Sequence, residues 1–315
     1  MGPRKIWTYD GSVPMNAIEI KNLVKTYRSG TKALKGVDLT VPDGDFFALL
    51  GANGAGKTTI IGILTGLVTK SGGTVEIFGH NIDHDFEAAK KCMVVVPQEF
   101  NFNMFEQVQD IVVNQAGYFG IDYKTAFQDS EEILKRVGLW EKRKAMSRTL
   151  SGGMKRRLMI ARGLIHHPRM LILDEPTAGV DVELRHGMWQ YLSEINAQGT
   201  TILLTTHYLE EVEQMCHNCA IIKEGDIVLK DNVRNLLRTI PQDTYRVTVK
   251  EMLSLEGVRA YNPVKIDEHT IDIEIQKREE LNELILKLAQ SGFVITDFHP
   301  KGNRLEKLFL EILRR

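Results

Sequence analysis

The amino-acid sequence predicts an α/β fold in which a mainly parallel sheet has helices on both faces. Short apolar runs at 45–51 and 169–175 end in glycine or in acidic residues, which is typical of buried parallel strands. Helical patterns at 58–67 and 183–199 follow these runs, so strands and helices alternate along the chain. Of the 315 residues, 43% are hydrophobic and 26% are charged, the ordinary balance of a globular protein.

Three further parts are predicted around this alternation: an antiparallel β subdomain, a helical insertion and a small C-terminal α+β domain. Alternating patterns at 17–27 and 33–41 predict a β-hairpin or meander. The pattern is helical from about Val108 to Ile165, and strand patterns mixed with two helices return after 240. We therefore expect a flexible tail at 1–15, a large domain at 16–240 with its helical subdomain at about 99–167, and a small domain at 241–315.

The remaining elements of the large domain are predicted in the same way. Apolar runs bounded by glycine or polar residues predict strands at 73–79, 91–98 and 200–207. Residues 208–216 read as a short helix, and 219–231 as a pair of strands that ends the sheet. The longest apolar runs are far shorter than the roughly 18 residues of a membrane helix. The net charge of −1 and the lack of a basic stripe lead us to expect no nucleic-acid partner.

A phosphate-binding loop is predicted between the strand at 45–51 and the helix at 58–67. The segment GANGAGKTT at 51–59 fits the pattern G-x-x-x-x-G-K-[ST] at every fixed position. Backbone N–H groups of such a loop point at phosphate oxygens, the lysine reaches the β- and γ-phosphates, and the next hydroxyl binds Mg²⁺. The predicted nucleotide ligands are Gly51, Ala52, Asn53, Gly54, Ala55, Gly56, Lys57, Thr58 and Thr59.

Two carboxylates follow the apolar strand at 169–175. Asp174 is placed at the sheet edge, where its side chain can hold Mg²⁺ through water. Glu175 comes next and is placed to polarise an attacking water as a general base.

A second anion-binding turn is predicted at LSGGM, residues 150–154. Ser151 has the position of a helix N-cap, and the two glycines allow a ligand to approach the backbone closely. Four residues at helical spacing are expected to form the apolar face of the helix: Met154, Leu158, Ala161 and Ile165. Four basic residues are expected mostly on its other faces: Lys155, Arg156, Arg157 and Arg162.

The chain resembles the ATP-binding-cassette (ABC) ATPases over about residues 16–240. The resemblance rests on the phosphate-binding loop, Gln98, Leu150 with the SGG turn, the Asp174–Glu175 pair, AGVD at 178–181 and His207, in order and spacing. It departs from the usual motifs at Met154, where glutamine is commoner, and at Val180, where leucine is commoner. We interpret both as marks of the exporter branch of the family.

The resemblance implies a role for each matching residue. Tyr27 is similar to the aromatic residue that stacks on adenine, and Gln98 to the glutamine that reaches Mg²⁺ and the lytic water. His207 is similar to the histidine that contacts the γ-phosphate and Glu175, and Asp181 to the aspartate that contacts the opposing subunit. Four residues are implied to bind the ATP of the other subunit: Ser151, Gly152, Gly153 and Met154. The implied metal ligands are Thr58, Gln98 and Asp174, and the implied cofactors are ATP and Mg²⁺.

The resemblance also implies partners. A single cassette with no membrane span is expected to form a homodimer and to join a separate ABC-2-type membrane permease at the cytoplasmic face of the inner membrane. Five aromatic residues follow Gln98 and suit either a docking groove for that permease or the core of the helical insertion: Phe100, Phe102, Phe105, Tyr118 and Phe119. The alternative is a non-transport ABC ATPase with a regulatory, ribosome-linked or nucleic-acid-linked role.

Two smaller features have a functional and a structural interpretation. Cys216 and Cys219 form a lone CxxC, which suits half a zinc site or a redox pair, but no second pair completes a zinc site. We expect two thiols near an element boundary. His166 and His167 are expected to be solvated in the turn before the strand at 169–175.

Overall fold

The computed structural model describes residues 15–177, 182–239, 243–275 and 280–301, together with residues 305, 306, 308, 309 and 312. The chain divides between Asn232 and Val233 into two compact units. The first unit carries the predicted phosphate-binding loop and the second unit carries the predicted C-terminal domain. The division precedes the boundary expected at 240/241, because the short helix that begins at Val233 belongs to the second unit.

The first unit contains a four-stranded antiparallel sheet. Its strands lie in the order β2 (Lys32–Pro42), β1 (Asn16–Thr26), β4 (Gly72–Ile77) and β5 (His80–Asn81). Apolar side chains from β1, β2 and β4 are buried against a common core. This sheet is the predicted antiparallel β subdomain.

A six-stranded sheet forms the centre of the first unit. Its order is β10 (Asp226–Asn232), β9 (Asn218–Lys223), β3 (Phe46–Leu50), β8 (Thr201–Thr206), β7 (Met170–Asp174) and β6 (Met93–Val96). Only β10 is antiparallel to its neighbour; β3 pairs in parallel with β8 and β9, and β7 pairs in parallel with β6 and β8. The carboxyl ends of β3, β6, β7 and β8 therefore meet at one edge, where ligands bind in open α/β sheets.

Seven helices of the first unit connect these strands among the described residues. They are α1 (Lys57–Leu64), α2 (Phe86–Cys92), α3 (Val108–Gly117), α4 (Tyr123–Arg136), α5 (Gly152–Leu164), α6 (Val182–Ala197) and α7 (Leu209–Met215). Helices α3, α4 and α5 contact one another and form the predicted helical insertion. None of the helices in the described part of the chain has the length and apolar character needed to cross a membrane.

The second unit has its own antiparallel sheet. After α8 (Val233–Thr239), its elements are β11 (Asp243–Val249), β12 (Val264–Lys265), β13 (Thr270–Ile275), α9 (Glu280–Gln290) and β14 (Ile295–Pro300). The strands lie in the order β12-β13-β11-β14. Leu284 and Leu288 of α9 are buried with the apolar residues of β11 and β13. The last predicted helix, at 304–315, lies mostly outside the described residues.

The sequence did not predict the shortest elements. Helix α2 and strands β5 and β12 are too short to show a periodicity, and α8 falls at the predicted domain boundary. The longer elements lie within a few residues of the predicted positions, because their apolar periodicity is sustained over several residues.

Candidate active site

The phosphate-binding loop joins the buried strand β3 to helix α1. Gly54 and Gly56 have φ angles of 80° and 120°, in the region that favours glycine. A Cβ atom at Gly51 would lie 2.5 Å from the Ile222 carbonyl oxygen, and one at Gly56 would lie 2.9 Å from Leu34 Cδ2. These close approaches and backbone angles explain why the loop needs glycines and not merely small residues.

Lys57 is the first residue of α1, and its side chain folds back over the loop. Its Nζ donates to the carbonyl oxygens of Gly51, at 2.6 Å, and Ala52, at 3.2 Å. Burial lowers the pKa of the Lys57 ammonium, while the charges of Glu175 and Asp174 act in the opposite direction. The lysine and the two carboxylates are therefore close enough for their charges to interact.

The carboxylate pair is held by the neighbouring strand β8. Asp174 Oδ1 accepts a hydrogen bond of 2.6 Å from Thr205 Oγ1, and the Glu175 N–H donates to the Thr205 carbonyl at 3.0 Å. Glu175 has a φ of 47°, a left-handed conformation that is uncommon for a residue other than glycine. Thr205 was not predicted as a site residue, because a threonine within an apolar strand gives no sequence signal of this role.

His207 and Glu175 contact each other directly. The distance from His207 Nδ1 to Glu175 Oε1 is 3.2 Å. The Glu175 side chain is 13% exposed and that of His207 is 49% exposed, so the pair lies at the rim of the site. The ring of Tyr208 packs against His207 with centroids 4.2 Å apart. A glutamate oriented by a histidine at the end of two parallel strands can position a water molecule for attack on a phosphate.

Tyr27 lies next to the helix that follows the phosphate-binding loop. Its hydroxyl is 3.3 Å from Thr59 Oγ1, and its side chain remains partly exposed. The Lys25 ammonium lies 4.9 Å from the ring centroid. An exposed aromatic face beside the loop suits stacking on a base.

Gln98 lies two residues after β6, and its backbone is held by α5, the helix that begins at the predicted second anion-binding turn. Arg156 of α5 donates from Nη1 to the Pro97 carbonyl and from Nη2 to the Gln98 carbonyl, each at 2.7 Å. Arg156 lies, as expected, on a different face of α5 from the predicted apolar face, but this second face is also buried: Arg156 is 3% exposed and lies there with Gly153, Ile160 and Gly163. Hydropathy could not identify it, because a buried arginine looks like a surface residue in the sequence.

The signature turn (residues 151–154) begins α5 as predicted. The Ser151 hydroxyl accepts from the Met154 N–H at 3.3 Å, which makes Ser151 the N-cap. Ser151 and Gly152 are exposed, and a Cβ atom at Gly152 would meet no atom within 4 Å. Within the described part of the chain, this turn makes no hydrogen bond to the phosphate-binding loop. The predicted D-loop residue Asp181, with residues 178–180, lies outside the described residues.

The oxygen atoms at the sheet edge fit a hard divalent cation. Thr58 offers a hydroxyl, Gln98 a side-chain amide oxygen and Asp174 a carboxylate, and Mg²⁺ prefers few protein oxygens together with substrate phosphates. No group of three or more His, Cys, Asp or Glu side chains among the described residues could hold a metal alone.

The cysteine pair and His166 do not form such a site. Cys216 and Cys219 are buried, and burial raises the pKa of both thiols, that of Cys219 to about 12. Thiols with so high a pKa are poor nucleophiles and poor metal ligands. The expectation that His166 is solvated is wrong. Its ring stacks on Phe119 with centroids 3.6 Å apart, and burial lowers its pKa to about 4.

Known proteins are similar to this chain in sequence. A family model described as ABC transporter matches residues 34–178. The linearmycin resistance ATP-binding protein LnrL of Bacillus subtilis (strain 168) is 30% identical over 307 residues, covering 95% of this chain and 98% of the relative. The daunorubicin/doxorubicin resistance ATP-binding protein DrrA of Streptomyces peucetius is 34% identical, covering 95% and 93%. A Nod factor export ATP-binding protein I of Cupriavidus pinatubonensis is 36% identical, covering 95% and 91%.

Solved structures of ATP-binding cassettes share the fold. The cbiO1 protein of Clostridium perfringens, part of the ABC transporter complex cbiONQ, matches with a TM-score of 0.65 and 28% identity over 72% of this chain and 94% of that one. A cassette solved as a dimer in a post-hydrolysis state with ADP and Pi matches with a TM-score of 0.62 and 25% identity over 69% and 99%. The chain therefore belongs to the ATP-binding proteins of ABC transporters and is an ATPase of that family.

Proposed function

We propose that two copies of this chain bind and hydrolyse Mg-ATP at a head-to-tail interface and thereby drive export through a separate ABC-2-type membrane permease. The observation that carries the proposal is the exposure of the second anion-binding turn, at Ser151 and Gly152. Lys57, Glu175 and His207 gather at the sheet edge, whereas the signature turn is exposed and makes no hydrogen bond to its own phosphate-binding loop. A second chain facing the first would bring its signature turn to the γ-phosphate.

The residues divide the chemistry of phosphoryl transfer between them. The loop N–H groups and Lys57 bind the β- and γ-phosphates, and Tyr27 stacks on adenine. Glu175 accepts the proton of the attacking water. His207, whose Nδ1 lies 3.2 Å from Glu175 Oε1, orients the carboxylate of Glu175. Thr58, Asp174 and Gln98 would hold Mg²⁺, which neutralises phosphate charge when bound. Positioning and electrostatics supply the catalysis.

The helical subdomain offers a surface for the permease. A groove of about 550 Å³ lies beside α3, and its lining includes Asn101, Phe102, Glu106, Ile111, Tyr118 and Arg162. Phe105 and Tyr118 are 71% and 86% exposed, whereas the core of the subdomain uses aliphatic residues of α3 such as Val112 and Ala116. These exposures favour the docking interpretation for Phe105 and Tyr118, whereas Phe119 packs on His166 within the subdomain.

The names of the relatives support the proposed direction of transport. The names of the relatives refer to linearmycin resistance, daunorubicin/doxorubicin resistance and Nod factor export. One of these names states export, and it supports an export role for this chain at the cytoplasmic face of the inner membrane, held there by the permease.

The proposal is tested by trapping the dimer. We expect Glu175→Gln to bind Mg-ATP without hydrolysing it, and to run as a dimer in size-exclusion chromatography with light scattering. Without nucleotide, the same variant and the wild type should be monomers. Lys57→Ala is the control, because it should remain monomeric with Mg-ATP and should lack ATPase activity. A Glu175→Gln protein that binds ATP yet stays monomeric would contradict the head-to-tail interface.

A further inference from the structure

We propose that Arg156 is a positioning residue that fixes Gln98 to the helix carrying the signature turn, and so couples the two ATP sites of the dimer. The inference rests on the proposed head-to-tail function and adds a residue that the family motifs do not assign. Its basis is one side chain that reaches from α5 to the segment that follows β6.

The contact is directed at two successive carbonyl groups. The two terminal nitrogens of Arg156 donate to the oxygens of Pro97 and Gln98, each over 2.7 Å. A planar guanidinium has its donors in a fixed fork, so two such bonds define the orientation of the peptide that they hold. A single flexible contact would not do this. The backbone on either side of the Gln98 α-carbon therefore follows the position of α5.

Arg156 is buried, so its contact with residues 97 and 98 is part of the protein interior. The residue is 3% exposed, and burying a guanidinium is costly unless it is hydrogen-bonded; its two terminal nitrogens are bonded, whereas its Nε is buried with no hydrogen-bond partner among the described residues. Burial lowers its pKa, and the charge of Asp174 in the catalytic site acts in the opposite direction. The Phe100 ring lies 5.3 Å from the guanidinium carbon. The guanidinium thus lies against the segment at 97–100.

The helix α5 connects this contact to the signature turn. Arg156 lies just over one turn after Ser151 on the same helix, which is stiff over that distance. Farther along, Arg162 Nη1 donates to the Asn101 carbonyl at 3.1 Å, and both Asn101 and Arg162 line the groove of the helical subdomain. One helix therefore holds residues 97–101 at both ends.

A mechanical consequence follows from this arrangement. When the signature turn of one chain closes on the ATP of its partner, α5 moves, and Arg156 carries Gln98 with it toward the ATP of its own chain. Filling one site then favours assembly of the other, which is positive coupling between two binding sites. Removing the fork should uncouple the sites while leaving the phosphate-binding loop intact.

The test compares three purified full-length variants with the wild type. Arg156→Gln removes the charge and the fork, and Arg156→Lys keeps the charge but loses the fork. Arg157→Gln is the matched control, because Arg157 lies on the same helix and donates to a carbonyl, that of Val137, at 2.9 Å within the helical subdomain. The assays are the ATP dependence of ATPase rate, which gives kcat, KM and the Hill coefficient, and thermal unfolding.

We expect Arg156→Gln to lower kcat by about tenfold and to bring the Hill coefficient close to 1, with KM for ATP changed by less than about threefold. Arg156→Lys should recover part of kcat, and Arg157→Gln should keep both kcat and the Hill coefficient near the wild-type values. If Arg156→Gln does not fold, Arg156→Lys decides, since it should still show a reduced Hill coefficient.

Several results would overturn the inference. Wild-type kcat and Hill coefficient in Arg156→Gln, or in Arg156→Lys where only that variant folds, would show that Gln98 does not depend on the fork. Equal losses in Arg156→Gln and Arg157→Gln would show a general effect of helix stability. A wild-type protein that hydrolyses ATP without cooperativity also refutes the coupling, whereas a wild type without ATPase activity refutes the proposed function itself.

Discussion

We predict that Gly152→Asp does not lower the stability of the single chain but prevents two chains from forming the ATP-bound dimer. Gly152 is exposed in the first turn of α5, and a side chain there has free space on every side. An acidic residue in the first turn of a helix is favoured by the helix dipole. In the proposed dimer, however, the same carboxylate would face the γ-phosphate of the partner's ATP.

The structure gives the size of both effects. Replacing glycine within a helix removes an entropic cost of about 0.5–1 kcal/mol, and the dipole adds about 0.3–1 kcal/mol, so a single chain should lose no stability. Two like charges about 4 Å apart at an effective dielectric constant of about 20 repel by about 4 kcal/mol. The variant homodimer has this repulsion at both of its ATP sites, so nucleotide-driven dimerisation should weaken by about a thousandfold for each site.

Thermal unfolding and ATPase assays on the same preparations test this reasoning. Gly152→Asp should unfold at or above the wild-type temperature and should still bind one ATP per chain, yet have almost no ATPase activity. Gly152→Ala, which adds the Cβ atom without the charge, should lose far less activity than Gly152→Asp. Full activity in Gly152→Asp would refute the placement of the signature turn against a phosphate, and a large loss of stability would refute the structural argument.

Two further predictions concern buried carboxylates, measured by urea unfolding across pH. Burial raises the pKa of Glu211 above 4.5. Its contribution to stability is therefore full below pH 4.5 and declines as the pH rises through the pKa that Glu211 has in the folded protein. Glu211→Gln should remove that decline. Bonds from Arg246 and Lys301 lower the pKa of Asp272, so its contribution is present above the unfolded pKa and is lost as pH falls through the folded one. Asp272→Asn should cost about 1.5–3 kcal/mol near pH 7 and flatten the acid limb. Unchanged pH profiles would contradict either assignment.

The residues that follow the central strands could be predicted from the sequence for a physical reason. Lys57, Gln98, Glu175 and His207 each come soon after a buried apolar run, and the carboxyl ends of parallel strands meet at one edge. The sequence therefore implies that these residues lie close together even though it does not reveal the order of the strands. The N-cap role of Ser151 could also be predicted, because it depends only on the short segment 151–154.

The residues that support the site could not be predicted in this way. Arg156 is buried, but its charge suggests solvent exposure until the segment at 97–98 is known to lie beside it. Thr205 of β8 donates a hydrogen bond to Asp174 of β7, and the sequence does not reveal that these two strands are neighbours in the sheet. Such contacts depend on tertiary packing between segments far apart in sequence, for which periodicity carries no information.

The most direct test of the head-to-tail site is complementation between two inactive chains. Lys57→Ala disables the phosphate-binding loop and Gly152→Asp disables the signature turn, so each variant alone should be inactive. In a mixed dimer, one site receives both defects and the other receives none. Mixing equal amounts of the two monomers before adding Mg-ATP should therefore restore up to about a quarter of the wild-type sites. If each chain instead completed its own site, both sites of every dimer would be defective and the mixture would stay inactive.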